Sequence, residues 1–308
     1  MQAIILAAGM GKRLGALTRN NTKCMIQVNG VTLIERMMRQ LDRLSPSLEK
    51  IVIVTGYEGE KLKTFLSRLD ISTPVEYVDN PLYASTNNIY SLYLAKEHLL
   101  QDDTLLFESD LIFEDSVIDA LLRHPYPSLA LVAKFESWMD GTVVTLDEDD
   151  NIRQFIPGSK FSYKKKTEYF KTVNIYKFSR EFSRTHYVPF LTAYSKALGN
   201  NEYYEQVLKV ITFLDDPQIK AVKLNGEKWY EIDDCQDLDI SELLFSKEEN
   251  PGPGHRSLHI HPGQGRTPAP DGIPVRRLLA LSPHQGFLLP GQSLFPQQTP
   301  HVRTQGEF

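Results

Sequence analysis

The sequence predicts an α/β fold: a Rossmann-like, mixed but mainly parallel sheet covered by helices on both faces. Two observations predict it. Apolar runs at 3–6 (AIIL), 51–56 (IVIVTG) and 75–78 (VEYV) alternate with segments whose apolar residues recur at helical spacing. Strand–helix–strand at this interval gives a parallel, helix-covered sheet. The first run also passes straight into a glycine-bearing loop, Ala7 to Leu14. Ligands of such sheets sit there, at the carboxyl ends of strands.

Taken in order, Gly9 and Gly11 let the backbone turn sharply and approach a ligand. Successive N–H groups in such a loop can ring an anion, and Lys12, Arg13 and Lys23 bring positive charge beside it. That equipment suits a triphosphate. It is neither a dinucleotide fingerprint, whose third glycine is replaced by Leu14, nor a P-loop, since no GxxxxGK[ST] occurs. A helix follows at 32–44, then the strand at 51–56, a helix marked by Leu62, Phe65, Leu66 and Leu69, and the strand at 75–78. Asn87 and Asn88 read as a polar helix start, with Ile89, Leu92 and Tyr93 facing the core. The strand at 104–107 ends in Glu108-Ser109-Asp110, a carboxylate at the edge where Mg²⁺ would accompany a triphosphate. Glu114 and Asp115 cap a helix over 115–123.

Strands are expected at 129–135 and 142–146, with 147–151 (DEDDN) a solvated hairpin turn. Trp138 stands in the loop between them. It either anchors that loop or forms one wall of an ammonium box, where cation–π attraction contributes about 0.5–2 kcal/mol. The lysines at 164–166 read as a solvated loop, 171–178 as a strand, and about 179–197 and 202–214 as helices. Tyr203 and Glu205 set an aromatic and an acid together; packing is the alternative reading. In 229–238 a strand delivers Glu231 and Asp233 on one face, because side chains alternate, and Asp234 starts the last helix.

The string LAAGxGxRL…LT….K resembles the opening of the nucleotidyltransferases that join an NTP to a phosphorylated sugar or alcohol, of the nucleotide-diphospho-sugar transferase fold type. The family usually has proline before the lysine; here it is Thr22. NNIYSLYL, ESDLIF, Trp138 and WYEID are particularly like bacterial phosphocholine cytidylyltransferases. The resemblance implies a nucleotide site at Leu6, Ala7, Ala8, Gly9, Gly11, Lys12 and Arg13, with Thr86, Asn87 and Asn88 at the base. It implies Arg13, Lys23, Asp110 and Asp233 as catalytic, with Mg²⁺ held by Asp110 and Asp233. It matches Trp138, Tyr203, Glu205 and Glu231 to the acceptor pocket. The expected partners are CTP and a small phosphorylated amino-alcohol such as phosphocholine. A 2-aminoethylphosphonate or a sugar 1-phosphate is the alternative acceptor. A non-catalytic nucleotide-binding regulatory module is the alternative of another class.

The 308 residues, 41% hydrophobic, suffice for a sizeable core, and a net charge of −5 argues against a nucleic-acid partner. Two cysteines, Cys24 and Cys235, imply a reducing compartment. The N-terminus lacks a signal-peptide pattern, and no apolar run approaches the roughly 20 residues that span a bilayer. A cytoplasmic protein without membrane insertion is expected; the oligomeric state is not legible. A nucleotidyltransferase domain is expected over 1–247. Residues 248–308 are rich in Pro, Gly and Gln, and are expected to be disordered. One choice of synonymous codons for 263–308, shifted forward by one base, resembles the start of the PLP-dependent aminotransferase domain fused behind some cytidylyltransferases. A frameshift product replacing that domain is therefore the expectation for the tail.

Overall fold

Six consecutive buried residues, Gln2–Ala7, form β1 and place it inside the main sheet. The computed structural model describes residues 1–216 and 218–246; the disorder and frameshift expected at 248–308 lie outside the described residues. After β1 come 3-10 turns at Lys12–Thr18 and Lys23–Met25, and a hairpin of β2 (Gln27–Val28) and β3 (Val31–Thr32). Then follow α1 (Leu33–Asp42), β4 (Lys50–Thr55), α2 (Gly59–Leu66), β5 (Val75–Asp79), α3 (Asn88–Leu94), α4 (Lys96–Leu99) and β6 (Thr104–Glu108). β7 (Leu111–Phe113), α5 (Asp115–Arg123), β8 (Leu129–Lys134), β9 (Val143–Leu146), β10 (Ile152–Ile156) and β11 (Phe170–Phe178) come next. The described chain ends with α6 (Arg180–Phe182), α7 (Val188–Leu198), α8 (Glu205–Ile211), β12 (Lys220–Lys223), β13 (Trp229–Glu231) and α9 (Cys235–Leu244).

Among the described residues the main sheet has nine strands, in the order β10-β9-β11-β6-β1-β4-β5, with β8 beside β11 and β12 beside β8. β1 pairs parallel with β4 and β6, and β4 with β5. β11 runs antiparallel to β6, β8 and β9, which makes the sheet mixed. Parallel strands are buried on both faces, so they read as continuous apolar runs. Alternation divides β1 between two cores. Ile4 and Leu6 pack with Ile89, Leu92, Leu191 and Leu208 from α3, α7 and α8. Ala3, Ile5 and Ala7 pack with Met37, Leu62 and Val117 from α1, α2 and α5.

The register Leu6↔Glu108 and Ala7↔Thr55 brings the carboxyl ends of β1, β4 and β6 to one edge. A two-stranded ribbon, β7 with β13, then joins distant parts of the chain: Glu231 faces Leu111, and the Ile232 N–H donates to the Asp110 carbonyl at 3.0 Å. α9 begins in a capping box, with the Asp234 side chain accepting from Gln236 and Asp237 N–H groups. The helix expected at 179–197 is divided by a π turn at Ser183–Tyr187. Pro189 has no N–H to continue the ladder, which accounts for the shift just before it. The expected 202–214 helix is shorter, Glu205–Ile211. Among the described residues no helix is long and apolar enough to cross a membrane.

Candidate functional site

The loop after β1 opens a cavity of about 850 Å³, a size in the range of small-ligand sites. Gly9, Met10, Gly11, Lys12 and Arg13 line one side of it. Gly11 holds φ +59°, a left-handed conformation that favours glycine, and a Cβ there would stand 3.0 Å from Cβ of Lys23. Its carbonyl accepts from the Thr18 hydroxyl at 2.8 Å. Gly56, just past β4, has a different reason: a Cβ would come within 2.8 Å of the Ala8 carbonyl oxygen and of Tyr83 Cβ. Thr22, where the resembled family has proline, keeps proline-like angles of φ −72° and ψ 149°.

Lys23 reaches from this loop to two carboxylates. Its Nζ donates to Asp110 Oδ2 at 2.6 Å and to Asp233 Oδ1 at 2.7 Å, and Arg13 Nη2 lies 2.6 Å from the same Asp233 oxygen. Burial works against the Asp233 carboxylate, but Lys23 and Arg13 hold it below its ordinary range. Lys23 is held above its own range, burial being outweighed by Asp110 and Asp233. Glu231 completes a triad: one oxygen each from Asp110, Glu231 and Asp233 lie within 4.8 Å of one another. Asp110 Oδ1 is buried and has no hydrogen-bond partner among the described residues. A buried, unpartnered carboxylate oxygen in a cluster of three acids is the donor set of a hard divalent cation, so these residues fit Mg²⁺.

Deeper in the cavity lie Glu108, Glu205, Glu231, Lys171 and Asn174. Lys171 is buried and donates to Thr172 O at 2.8 Å and Glu231 Oε2 at 3.3 Å. Despite its burial, Glu231 and Glu205 keep it above the usual lysine range. Asn174 sits at φ 60° where the β11–β8 register shifts between Thr172 and Tyr176. The bulge turns its amide toward Glu231 Oε1, 3.3 Å away. Burial, then the neighbouring Asp110 and Glu205, push the Glu108 carboxyl well up.

Burial also pushes Glu205 from 4.5 up to about 7. A folded acid with a raised pKa contributes stability below its unfolded value, and that contribution is lost as pH rises through the folded one. Glu205→Gln should therefore gain thermal stability relative to the parent as pH climbs from about 5 to about 8, as read by calorimetry. A pH-independent difference between the two would contradict this.

Most of the residues singled out in the sequence converge here. Leu6, Ala8, Gly9, Gly11, Lys12, Arg13, Lys23, Thr86, Asn87, Asn88, Asp110, Tyr203, Glu205, Glu231 and Asp233 all line the cavity. Two stand elsewhere. Ala7 is 1% exposed and packs in the core, because alternation turns it to the opposite face from Leu6. Trp138 stacks flat on Tyr230, centroids 5.2 Å apart at 3°, and its Nε1–H donates to Glu136 at 3.0 Å. That contact fits the loop-anchor reading and keeps Trp138 off the cavity wall. Asn87 accepts from the Asn88 N–H as a helix cap, while Asn88 donates to Glu108 and accepts from the Tyr204 N–H. Glu108, Lys171 and Asn174 were not singled out. Their signal was a charged or amide residue inside an otherwise apolar strand.

The chain matches the MobA-like NTP transferase domain family over residues 3–158. It is 26% identical over 263 residues to CMP-5'-(3-aminopropyl)phosphonate synthase of Streptomyces rubellomurinus, covering 84% of this chain and 41% of that protein. It is 34% identical over 161 residues to 2-aminoethylphosphonate cytidylyltransferase of Lancefieldella rimae, covering 52% of this chain and 63% of the relative. The chain thus spans less than two thirds of the length of either. The solved structure of CTP:phosphocholine cytidylyltransferase from Streptococcus pneumoniae superposes with a TM-score of 0.64 at 25% identity, covering 79% of this chain and 98% of that one. The mixed, mainly parallel sheet with helices on both faces is the nucleotide-diphospho-sugar transferase fold.

Proposed function

The chain belongs to the MobA-like NTP transferase family, and on that premise we propose that it is a Mg²⁺-dependent cytidylyltransferase. It moves CMP from CTP to a small acceptor with an anionic phosphate or phosphonate at one end and a cationic amine at the other; pyrophosphate leaves. One observation carries the reading: the glycine loop with its cations opens into the same cavity as a floor of three glutamates, Glu108, Glu205 and Glu231. The loop suits a triphosphate and the floor suits a cation. The names of the relatives support the same pairing.

An ionised acceptor oxygen attacks the α-phosphorus in line, so no general base is required, and catalysis is positioning with charge neutralisation. The N–H groups of the glycine loop receive the triphosphate. Arg13 turns from Asp233 to the departing β- and γ-phosphates. Lys23 exchanges its carboxylate partners for the α-phosphate and the acceptor oxygen, holding the two together. Asp110 and Asp233 would hold Mg²⁺, which would offset the charge that builds at the reacting phosphorus, with Glu231 between this pair and the acceptor floor. Asn87, whose side chain accepts from the Asn88 N–H alone, is the group best placed to meet the cytosine edge, since the Thr86 hydroxyl already donates to the Leu82 carbonyl and accepts from Asn80, and Asn88 joins Glu108 to Tyr204.

Pyrophosphate release with CTP, UTP and dTTP against phosphocholine, phosphoethanolamine, 2-aminoethylphosphonate and glucose 1-phosphate tests this. CTP with an amine-bearing acceptor should exceed glucose 1-phosphate by about tenfold or more. Release with the sugar phosphate alone, or no release with any of these acceptors, refutes the proposal. The second result would favour a non-catalytic nucleotide-binding module.

A further inference from the structure

The inference rests on the cationic-acceptor reading above and narrows it. We propose that Glu108 determines acceptor specificity: with Glu205 it forms a two-carboxylate receptor for an ammonium that still carries hydrogens, so a primary amine is preferred to a trimethylated one.

Three features carry this. First, Glu108 is fixed. Its Oε1 accepts from Asn88 Nδ2 at 3.2 Å, and Asn88 Oδ1 accepts from the Tyr204 N–H at 3.0 Å. A single amide therefore ties the end of β6 to the start of α8, where Glu205 stands, and sets the two carboxylates relative to each other. Second, the receptor is incomplete by itself. Glu205 is 6% exposed, and its Oε2 is buried with no hydrogen-bond partner among the described residues. The nearby cation, Lys171, already bonds Glu231 and Thr172 O. Glu108, Glu205, Glu231 and Asp110 share the ammonium groups of Lys171 and Lys23, and burial with this crowding pushes the Glu108 carboxyl up, so the floor lacks positive charge and N–H donors together. A primary ammonium supplies both. A trimethylated one supplies charge alone and leaves buried oxygens unsatisfied, the larger penalty in discrimination between such ligands.

Third, an aromatic cage is missing where the phosphocholine reading expects it. Quaternary cations are held chiefly over aromatic faces. Trp138 stacks one face on Tyr230 and does not line the cavity, and Tyr203, which does, is 54% exposed.

The test compares kcat/KM for phosphoethanolamine and phosphocholine with CTP, in the parent and in Glu108→Gln. Glutamine keeps the length and a carbonyl for Asn88, and removes the charge. The parent should prefer the primary amine, and the variant should lower that preference by about tenfold or more, mainly through KM of the primary amine. Should Glu108→Gln fail to fold, Glu205→Gln should show the same change of ratio. A parent that favours the trimethylated acceptor, or a ratio within about twofold of the parent's in the folded variant, overturns the role of Glu108 while cytidylyl transfer stands. No turnover of either acceptor by the parent overturns the underlying reading as well.

Discussion

Asp110→Asn should lower turnover by about a thousandfold or more and leave the fold in place. The size follows from what the carboxylate is for. Asp110 stands at the carboxyl end of β6, one oxygen on Lys23 and the other buried without a hydrogen-bond partner among the described residues. With Asp233 and Glu231 it makes the cluster suited to a divalent cation. An amide in its place keeps the shape but halves the charge of the aspartate pair, and a cation that offsets several kcal/mol of transition-state charge is lost or misplaced. About 4 kcal/mol corresponds to a thousandfold in rate. Folding should suffer little. Lys23 keeps Asp233 at 2.7 Å, and removing one of several crowded acids relieves repulsion on Glu108 and Glu231. Pyrophosphate release gives the rate and calorimetry the midpoint. A folded variant with near-normal turnover would remove Asp110 from the mechanism.

How much of this was legible depended on whether the information was local. The helix at 115–123 and the strands near 3–6, 51–56 and 104–107 were readable because strands buried on both faces form unbroken apolar runs, and amphipathic helices repeat. Asp110 was readable as an acid ending such a run, and Glu231 with Asp233 as an alternating pair, although β13 ends at Glu231 and Asp233 stands just beyond it. That Asp110 and Asp233 meet was not readable from either segment. It depends on the β7–β13 ribbon and the Ile232–Asp110 backbone bond, and β7 has only three residues. Lys171 and Asn174 were hidden for a related reason. Both lie in a strand pattern that predicts core, and at Asn174 the bulge, with φ 60°, turns the amide to the cavity. Trp138 shows the converse. Its loop position was evident, but whether its face met a ligand or Tyr230 was a question of tertiary packing.

Lys23→Met should produce two effects of opposite sign. Turnover should fall by about a hundredfold or more, the usual scale for losing one preorganised group at a transferring phosphoryl centre. Binding of a divalent cation by the nucleotide-free protein should instead tighten. The reason is that the Lys23 ammonium lies between the two aspartates, 2.6 Å from one and 2.7 Å from the other, in the position from which a cation would also draw its ligands. A metal ion approaching the parent must displace this ammonium, which is largely buried and has no equivalent partner until a triphosphate arrives. Methionine matches the length of the stem without the charge, and leaves Asp233 with Arg13 alone. Manganese titration followed by electron paramagnetic resonance, without nucleotide, reads the difference directly and independently of activity. We expect affinity in Lys23→Met to exceed the parent's by about tenfold or more, since the two cations compete for the same oxygens. Equal or weaker manganese binding in a folded variant would mean that Lys23 and the metal ion do not share these carboxylates, and the exchange of partners assigned to Lys23 during the reaction would have to be abandoned.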